Sequence, residues 1–262
     1  MIYAMIILYN KKIDDSITYS FFKKYKNNIE ILIFDNGKEE FVEYNNEYCK
    51  NNKIHFYTLN KNVGISKAYN YVLDKIDIKE DNYIIVLDDD TILDDCYVKE
   101  AFNLIKQGKG DVLLPIITAN NKIISPSKVQ FNCRIKKTNN INSLKKKNIT
   151  AINSGMIVKT TVYRKIKYNE EIFLDYVDHD FMKKVRNSNY NIYIMNSKIK
   201  QNYSRFKQNE LKSEIFRFKI YLKDFKTYCK ECNNLIFYHL SVFKYKLTEC
   251  IKYKNIKFII LK

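Results

Sequence analysis

The strongest constraint on fold and chemistry is a strand-like run that ends in three carboxylates. The run is apolar or aromatic from Tyr83 to Leu87, and it continues directly into Asp88, Asp89 and Asp90. A continuous apolar run of this length is typical of a central strand in a parallel sheet. Ligands of open α/β sheets bind at the carboxyl ends of such strands. We therefore expect the three carboxylates at a ligand-binding edge of a sheet.

Two interpretations of the three aspartates stay open at this point. Adjacent carboxylates repel one another, and a divalent cation such as magnesium or manganese relieves that repulsion by taking oxygen ligands. Alternatively, the aspartates form a solvated turn that ends the strand and caps the following helix. The rest of the chain has to decide between them.

Strand-like and helical segments alternate on both sides of this run. Such alternation predicts an α/β fold with a mostly parallel sheet and helices on both faces. The predicted strands are 2–9, 29–34, 54–59, 83–87 and 111–114, with later strands at 149–157 and 193–199, and the predicted helices are 16–25, 38–49, 66–76 and 94–106.

Two segments in the second half of the chain have a different pattern. Residues 134–148 are basic, rich in asparagine and without an apolar period, so they predict a mobile loop. After residue 203, apolar positions recur at helical spacing, and a second helix is predicted from Leu235. We therefore predict a catalytic α/β domain over residues 1–203 and a basic, aromatic-rich helical extension over residues 204–262.

Charge and cysteine usage indicate partners and compartment. The net charge is +17, and from Ser204 onward there are fourteen Lys or Arg against five Asp or Glu. An excess of this size favours polyanionic partners. Residues 1–9 lack a secretory pattern, no apolar run is long enough to cross a bilayer, and the six cysteines are typical of reduced thiols. We expect a cytoplasmic protein.

Several short motifs follow one another in a defined order from Tyr9 to Phe181. They are Tyr9-Asn10, Phe34 to Gly37, Asn62 to Asn70, Leu87 to Asp90, Ser154-Gly155 and Phe173 to Phe181. In this order and spacing the chain resembles the inverting family 2 glycosyltransferases of the GT-A fold, particularly the bacterial rhamnosyl- and galactofuranosyltransferase-like members. The resemblance implies transfer of a sugar from a UDP- or dTDP-linked donor to a hydroxyl of a glycan or lipid-linked glycan acceptor in bacterial surface polysaccharide synthesis.

The resemblance also implies roles for single residues. Asp88 and Asp90 match the first and third positions of the DxD motif, which holds Mn²⁺ or Mg²⁺ on the diphosphate. Asp35 is implied to accept hydrogen bonds from the nucleobase, Asp89 to lie near the ribose, and Asp178 to act as the catalytic base. The residues implied to line the nucleoside side are Tyr9, Asn62, Gly64 and Lys67.

The chain departs from the family pattern at a metal ligand. Many members carry a histidine a few residues beyond the strand that follows the base helix, and this chain has Gln201 or Asn202 near that position. An amide oxygen can ligate a hard cation, so Gln201 is a candidate metal ligand. Weaker metal binding, metal-independent action and a changed register remain open. The C-terminal segment departs as well, so the resemblance does not imply the acceptor's identity.

Asp178 opens a segment in which Phe181, Met182 and Val185 are expected to form the buried face of a helix. The helix dipole favours an ionised carboxylate in the first turn, as a base requires. The alternative is an acidic helix cap with no chemical role. Asp175 is a competing candidate for the base, and we interpret Asp180 as a structural residue or an acceptor contact.

A second hypothesis, from a different functional class, is a basic module without catalysis that binds an anionic membrane surface or nucleic acid. Its support is the C-terminal charge and the aromatic residues between the lysines, a combination found in base-stacking surfaces and in interfacial helices. If the protein is an enzyme, we expect no nucleic acid partner. The charge then predicts peripheral contact with the inner face of the cytoplasmic membrane, where lipid-linked acceptors are found.

Overall fold

The predicted α/β class is confirmed by a computed structural model, which describes residues 1–79, 81–201 and 211–261. A mostly parallel central sheet lies between layers of helices, and further helices follow at the C-terminal end. The strands are β1 (Ile2–Leu8), β2 (Glu30–Asp35), β3 (His55–Thr58), β4 (Tyr83–Asp88), β5 (Val112–Ala119), β6 (Lys122–Ser125), β7 (Ser127–Gln130), β8 (Arg134–Lys136), β9 (Ile149–Thr150), β10 (Met156–Lys159) and β11 (Ile192–Lys200).

The α-helices begin and end close to the predicted positions. They are α1 (Ile17–Phe22), α2 (Glu39–Asn51), α3 (Ile65–Leu73), α4 (Asp95–Lys106), α5 (Val177–Arg186), α6 (Leu211–Glu231), α7 (Leu235–Tyr253) and α8 (Lys257–Ile260). Side-chain oxygens fix two of the starts, because Ser16 accepts the N–H of Tyr19 and Asp94 accepts the N–H of Tyr97.

The central sheet has the strand order β11-β5-β10-β4-β1-β2-β3, with β6 paired to β5. Strands β1, β2, β3 and β4 are parallel, whereas β10 runs antiparallel between β4 and β5. Leu8 lies beside Asp35, and Ile7 lies beside Asp88. The register thus brings the ends of two acidic strands to either side of β1.

Strand β1 shows why the sheet needs helices on both faces. Its alternate residues enter two separate hydrophobic cores, with Met5 and Ile7 in one and Ala4 and Ile6 in the other. A strand buried on both faces reads as a continuous apolar run. That is the pattern found in β1 and β4.

Two predicted segments differ from the structure. The single strand predicted at 149–157 is two short strands, β9 in a small sheet of order β8-β7-β9 and β10 in the central sheet. The segment 134–148, predicted as a loop, contains β8 and two short 3₁₀ helices, Ile141–Ser143 and Lys146–Asn148. Strand β8 shows no apolar period in the sequence because it is only three residues long and both of its ends, Arg134 and Lys136, are exposed.

The C-terminal helices pack against the sheet domain. Phe225, Tyr228 and Cys229 of α6 belong to the same core as Phe181 and Val185 of α5. The predicted boundary at residue 203 lies among residues 202–210, outside the described residues, so it stays a prediction. Within the described part of the chain, no helix is both long enough and apolar enough to cross a membrane.

Candidate active site

Asp88 is connected to Gln201, another predicted site residue, through the hydroxyl of Ser154. The Ser154 hydroxyl donates to Asp88 Oδ2 at 2.5 Å, and Gln201 Nε2 donates to Ser154 Oγ at 3.3 Å. Ser154 is brought there by the turn before β10, where Gly155 N–H donates to the Val86 carbonyl at 2.8 Å. The structure therefore brings Asp88 and Gln201 to one place, whereas Asn202 lies outside the described residues.

Burial and neighbouring charges change the protonation of this cluster. The pKa of Asp88 is raised to about 6, chiefly by burial; the Ser154 hydrogen bond lowers it, and the carboxylates of Asp90, Asp89 and Asp178 contribute to the rise. Burial and Asp89 also raise the pKa of Asp90, against the effect of Lys11. A proton or a cation bound between these carboxylates relieves the same repulsion.

The turn that carries the three aspartates is held by the start of α1. Ser16 Oγ donates to the Asp89 carbonyl at 2.8 Å, and Thr18 Oγ1 donates to the Asp88 carbonyl at 2.7 Å. The Asp89 carboxylate pairs with Lys11 Nζ at 2.8 Å. Sequence reasoning missed these supporting residues, although Ser16 is a recognisable helix cap.

The donor atoms at this edge suit a hard cation that also binds substrate. Among the described residues, no three His, Cys, Asp or Glu side chains are arranged to hold a metal ion. Magnesium is bound through only one or two carboxylates together with substrate phosphates. Asp88 and Asp90 supply two such carboxylates. The Gln201 amide is linked to Asp88 through the Ser154 hydroxyl.

Asp35 ends β2 at the same edge, but its side chain is fully buried. Its carboxylate accepts the N–H of Gly37 at 2.8 Å and the Asn45 amide at 2.6 Å. Asn45 also accepts the N–H of Ile13 at 2.7 Å, so Asp35 fixes the loops that follow β1 and β2. Contact between Asp35 and a nucleobase stays a prediction.

The loop before α3 carries the predicted nucleoside residues. Asn62 Oδ1 accepts the Asn36 amide at 3.0 Å, and Asn36 Oδ1 accepts the N–H of Val63 at 2.8 Å. This reciprocal pair ties the loop to the end of β2. Tyr9, Asn62 and Lys67 have exposed side chains, so they can reach a ligand bound above the sheet edge.

Gly64 is the point where this loop meets the segment that precedes α5. Its φ is +82°, and a Cβ there would lie 2.6 Å from Phe173 Cδ2 and 2.7 Å from the Phe173 carbonyl oxygen. The next residue, Ile65, donates its N–H to that same carbonyl at 2.7 Å. Only glycine fits this position, because any side chain would push Phe173 away.

Asp178 lies in the first turn of α5 and keeps part of its side chain exposed. One carboxylate oxygen accepts the N–H of His179 at 2.7 Å. The His179 ring bonds Thr150 Oγ1 at 2.8 Å, and burial lowers the pKa of His179, so the imidazole is neutral near pH 7. The charge of Asp178 is among those that raise the pKa of Asp88.

The competing carboxylates near Asp178 are turned elsewhere. Asp180 is completely buried and pairs with Lys184 Nζ at 3.0 Å. Asp175 forms a two-pronged ion pair with Arg217 of α6, in which Nη2 donates to Oδ1 at 2.8 Å. Of the three, Asp178 alone has no ion pair with Lys or Arg among the contacts of the described residues.

Helix α6 holds the segment before the base through a second buried residue, Asp224. Its carboxylate accepts the backbone N–H groups of Phe173 at 2.9 Å, Leu174 at 2.7 Å and Asp175 at 2.9 Å. Sequence reasoning missed this contact. The available signal was an aspartate at a buried position of a strongly basic helix, between Leu222 and Phe225.

A cavity of about 470 Å³ lies beside the base helix, between the turn before β8 and the helices α6 and α7. Its wall includes Tyr176, which precedes Asp178 by two residues and stacks on Phe225 with ring centroids 5.1 Å apart. Aromatic faces and two cations line the space: Arg134, Tyr176, Phe225, Phe237, Lys244 and Tyr245. Rings suit the apolar faces of sugars, and cations suit phosphate.

Solved structures with a similar fold include two that contain UDP or UDP-GlcNAc. A crystal structure of S. aureus TarS 1-349 aligns with a TM-score of 0.57 at 17% identity, covering 88% of this chain and 64% of that one. TarS 1-349 in complex with UDP-GlcNAc aligns with a TM-score of 0.56 at 18% identity, covering 87% of this chain and 66% of that one. GalNAc-T7 with UDP, GalNAc and Mn²⁺ aligns at 0.57 and 11% identity, covering 95% and 57%.

These likenesses establish a GT-A fold, and the chain spans less than two thirds of each neighbour's length. A search of curated proteins gave no match. The family model for Glycosyl transferase family 2 matches residues 4–167, which is more than half of the chain and includes the strands that carry Asp35 and Asp88. The chain therefore belongs to glycosyl transferase family 2.

Proposed function

We propose that the protein transfers a sugar, with inversion, from a nucleotide-diphosphate donor to a hydroxyl of a glycan or lipid-linked glycan acceptor in bacterial surface polysaccharide synthesis. The observation that carries the proposal is the position of Asp88 and Asp90 at the carboxyl end of β4 in a family 2 chain, with the partly exposed Asp178 in the first turn of α5 as the proposed base. Catalysis is assigned to residues 1–203, with residues 204–262 as a helical extension.

UDP or dTDP is the proposed donor nucleotide. The TarS structures with UDP and UDP-GlcNAc and the GalNAc-T7 structure with UDP support a uridine nucleotide. The nucleoside is proposed to lie on Tyr9, Asn62, Gly64 and Lys67, with Asp35 at the base and Asp89 near the ribose. A hexosyl or deoxyhexosyl donor, of the rhamnosyl or galactofuranosyl type, is the proposed sugar class.

Asp88 and Asp90 are proposed to hold the donor diphosphate through Mn²⁺ or Mg²⁺, with Gln201 as a further oxygen ligand. The GalNAc-T7 structure with Mn²⁺ supports a divalent ion, and the two carboxylates fit one that also binds phosphate. Such an ion would act as a Lewis acid and stabilise the negative charge that develops on the departing diphosphate. Ser154 holds Asp88 in place through its hydroxyl, which donates at 2.5 Å.

Asp178 is proposed as the general base. The acceptor hydroxyl oxygen forms a bond to the anomeric carbon as the bond to the diphosphate breaks, and the hydroxyl proton passes to the Asp178 carboxylate. The Asp178 carboxylate accepts the N–H of His179 at 2.7 Å, which holds it in the first turn of α5. Because His179 is neutral, it does not compete as an acid.

The acceptor is proposed to occupy the cavity beside Tyr176. Stacking rings and the cations Arg134 and Lys244 fit a glycan attached to a phosphate group. The cavity wall continues along the chain into the base helix, since Tyr176 is the residue before α5. We propose that an acceptor bound there presents its hydroxyl to Asp178.

A thermal-shift screen tests the donor proposal. UDP-GlcNAc, UDP-galactofuranose, dTDP-rhamnose and a GDP-sugar are each added with and without Mn²⁺. We expect one uridine or thymidine nucleotide sugar to raise the melting temperature only with metal, because a ligand that binds the folded state stabilises it. A basic module without catalysis would show no metal-dependent preference among these nucleotides, and that result would contradict the proposal.

A further inference from the structure

Helix α7 carries an apolar stripe on the face that points away from the rest of the protein. The side chains in this stripe are between 45% and 76% exposed. They follow one another at spacings of four, three, four and four residues, so they fall within an arc of about 80° on a helix of 3.6 residues per turn. The members of the stripe are Ile236, Leu240, Phe243, Leu247 and Ile251.

Helix α8 adds exposed apolar side chains next to α7. Ile256, just before α8, and Ile260, at its end, are 70% and 71% exposed. Lys246 on α7 donates to the carbonyl of Ile259 at 3.3 Å and to that of Leu261, which folds α8 back along α7. The two isoleucines are thus available to the same partner as the stripe.

The opposite side of α7 already closes the protein core. Val242 and Tyr245 pack on the buried cluster of Phe218, Leu222 and Phe258. The Tyr245 ring lies edge-on to Tyr221 at 5.7 Å between centroids. The stripe is therefore a second apolar face, separate from the one that stabilises the fold.

Lysines surround the stripe. Residues 235–262 contain six lysines and one acidic residue, Glu249, which lies 3.8 Å from Lys252 Nζ. Lys244 and Lys246 flank the stripe on its two sides, and Lys252 is exposed one helical step beyond Ile251. An apolar face with cationic borders is typical of helices that lie in the plane of a membrane interface.

We propose that the stripe of α7 and the two isoleucines beside it dock on an anionic lipid bilayer, with the apolar side chains among the acyl chains and the lysines at the headgroups. A second copy of the chain fits the stripe poorly, because a symmetric contact would bring both rows of lysines together. Nucleic acid also fits poorly, since Phe243 is the one aromatic residue in the stripe and stacking needs several.

This docking goes beyond sugar transfer and does not depend on it. It also orients the cavity beside Tyr176, because Leu240 belongs both to the stripe and to the cavity wall. A bilayer on the stripe lies next to the cavity opening. An acceptor carried on a lipid would thus reach the base without leaving the membrane.

The test measures sedimentation of the full chain with vesicles of phosphatidylglycerol and phosphatidylcholine, and with vesicles of phosphatidylcholine alone. We expect binding to the anionic vesicles and little to the neutral ones. The triple variant Phe243→Gln, Leu247→Gln, Ile251→Gln should lower the partition coefficient on the order of 100-fold, because it removes three inserted side chains. Leu59→Gln, at an exposed apolar position on the sheet domain, is the matched control and should bind like the parent.

A charge variant tests the second half of the proposal. Lys244→Glu with Lys252→Glu should weaken binding to anionic vesicles at least tenfold, since each lysine near such a surface contributes about 1 kcal/mol. The control Lys50→Glu with Lys106→Glu changes the net charge by the same amount, on α2 and α4. On a logarithmic scale, its loss of affinity for anionic vesicles should be less than half the loss shown by the α7 variant. Helical content and melting temperature of every variant are compared with the parent, because all substituted side chains are exposed.

Three outcomes would overturn the docking proposal. They are absence of binding to anionic vesicles, parent-like binding by the triple variant, and a dimer in solution that the triple variant converts to monomer. Binding of UDP-sugar is measured on the same samples. A variant that no longer binds vesicles but still binds the UDP-sugar supports docking. Failure of the parent to bind any UDP-sugar would contradict the proposed function and leave the docking result unchanged.

Discussion

The carboxylate of Asp224 on α6 accepts the backbone N–H of Asp175 at 2.9 Å, across 49 positions of sequence. The same carboxylate accepts two further N–H groups, those of Phe173 and Leu174. A loop whose N–H groups are fixed in this way has little freedom, and the proposed base Asp178 follows it directly. The C-terminal helix is thus part of the framework that positions the base.

Substitution of Asp224 should damage both stability and turnover. In Asp224→Asn an NH2 group replaces one of the two carboxylate oxygens, so at least one of the three backbone N–H groups loses its acceptor and the free energy of unfolding should fall by about 2–4 kcal/mol. Turnover should fall more than donor affinity, because the base segment moves while the nucleotide loop keeps its own contacts. Urea unfolding and steady-state kinetics measure the two effects. Asp81→Asn, at an exposed position, is the control. If KM in Asp224→Asn rose by the same factor as kcat fell, that result would argue against a positioning role.

Two glycines with positive φ provide a matched pair. Gly64→Ala adds a Cβ at 2.6 Å from Phe173, whereas Gly108→Ala adds one with no neighbour within 4 Å. Both substitutions place alanine in the left-handed region, at a cost of about 1 kcal/mol. Gly64→Ala should cost about 2 kcal/mol more than Gly108→Ala in unfolding free energy, because Phe173 has to move. Equal losses would show that the contact with Phe173 is unimportant.

The raised pKa of Asp88 predicts a specific pH dependence of stability without metal. Its folded pKa of about 6 exceeds the unfolded value, so the proton binds the folded state more tightly and the stability contribution falls as pH rises from about 4 to about 6. Asp88→Asn removes this penalty. Above pH 7 the variant should be about 3 kcal/mol more stable than the parent, and the difference should vanish below about pH 4. A difference that does not change with pH would contradict this explanation.

Asp178 and Asp180 separate the base from its structural neighbour. Asp178→Asn should reduce turnover by roughly 10²- to 10⁴-fold while nucleotide-sugar affinity barely changes. Asp180→Asn breaks the buried pair with Lys184, so it should lower the unfolding free energy by about 2–4 kcal/mol and leave the turnover of folded protein within a few-fold of the parent. Kinetics below the melting temperature of both variants make the comparison. If Asp180→Asn lost turnover while Asp178→Asn kept parent-like activity, Asp180 would be the base and the assignment of Asp178 would be wrong.

The sequence was sufficient where a pattern is local. Continuous apolar runs predicted β1 and β4 within a residue of their observed ends, and the capping residue Asp94 marked the start of α4. The acidic end of β4 was predictable because a buried strand has to stop before three charges. Phe181, Met182 and Val185 were expected on the buried face of the base helix, and they lie there.

Contacts between distant segments could not be predicted from the sequence. The run 149–157 gave no sign that it divides between two sheets, because both parts are apolar and only their pairing with β7 and β4 separates them. Asp224 contacts a loop about fifty residues earlier, and no local pattern links them. The roles of Ser16 and Thr18 depend likewise on the fold, which brings α1 onto the turn of Asp88.

The central claim is a metal-assisted nucleotide-sugar site at the end of β4, and calorimetric titration of UDP with and without Mn²⁺ tests it most directly. The parent should bind UDP much more tightly with Mn²⁺ than without it. Asp90→Ala should lose that metal dependence and keep its fold, because removal of one carboxylate relieves repulsion within the cluster. Parent-like, metal-dependent binding by Asp90→Ala, or absence of metal-dependent nucleotide binding by the parent, would contradict the account.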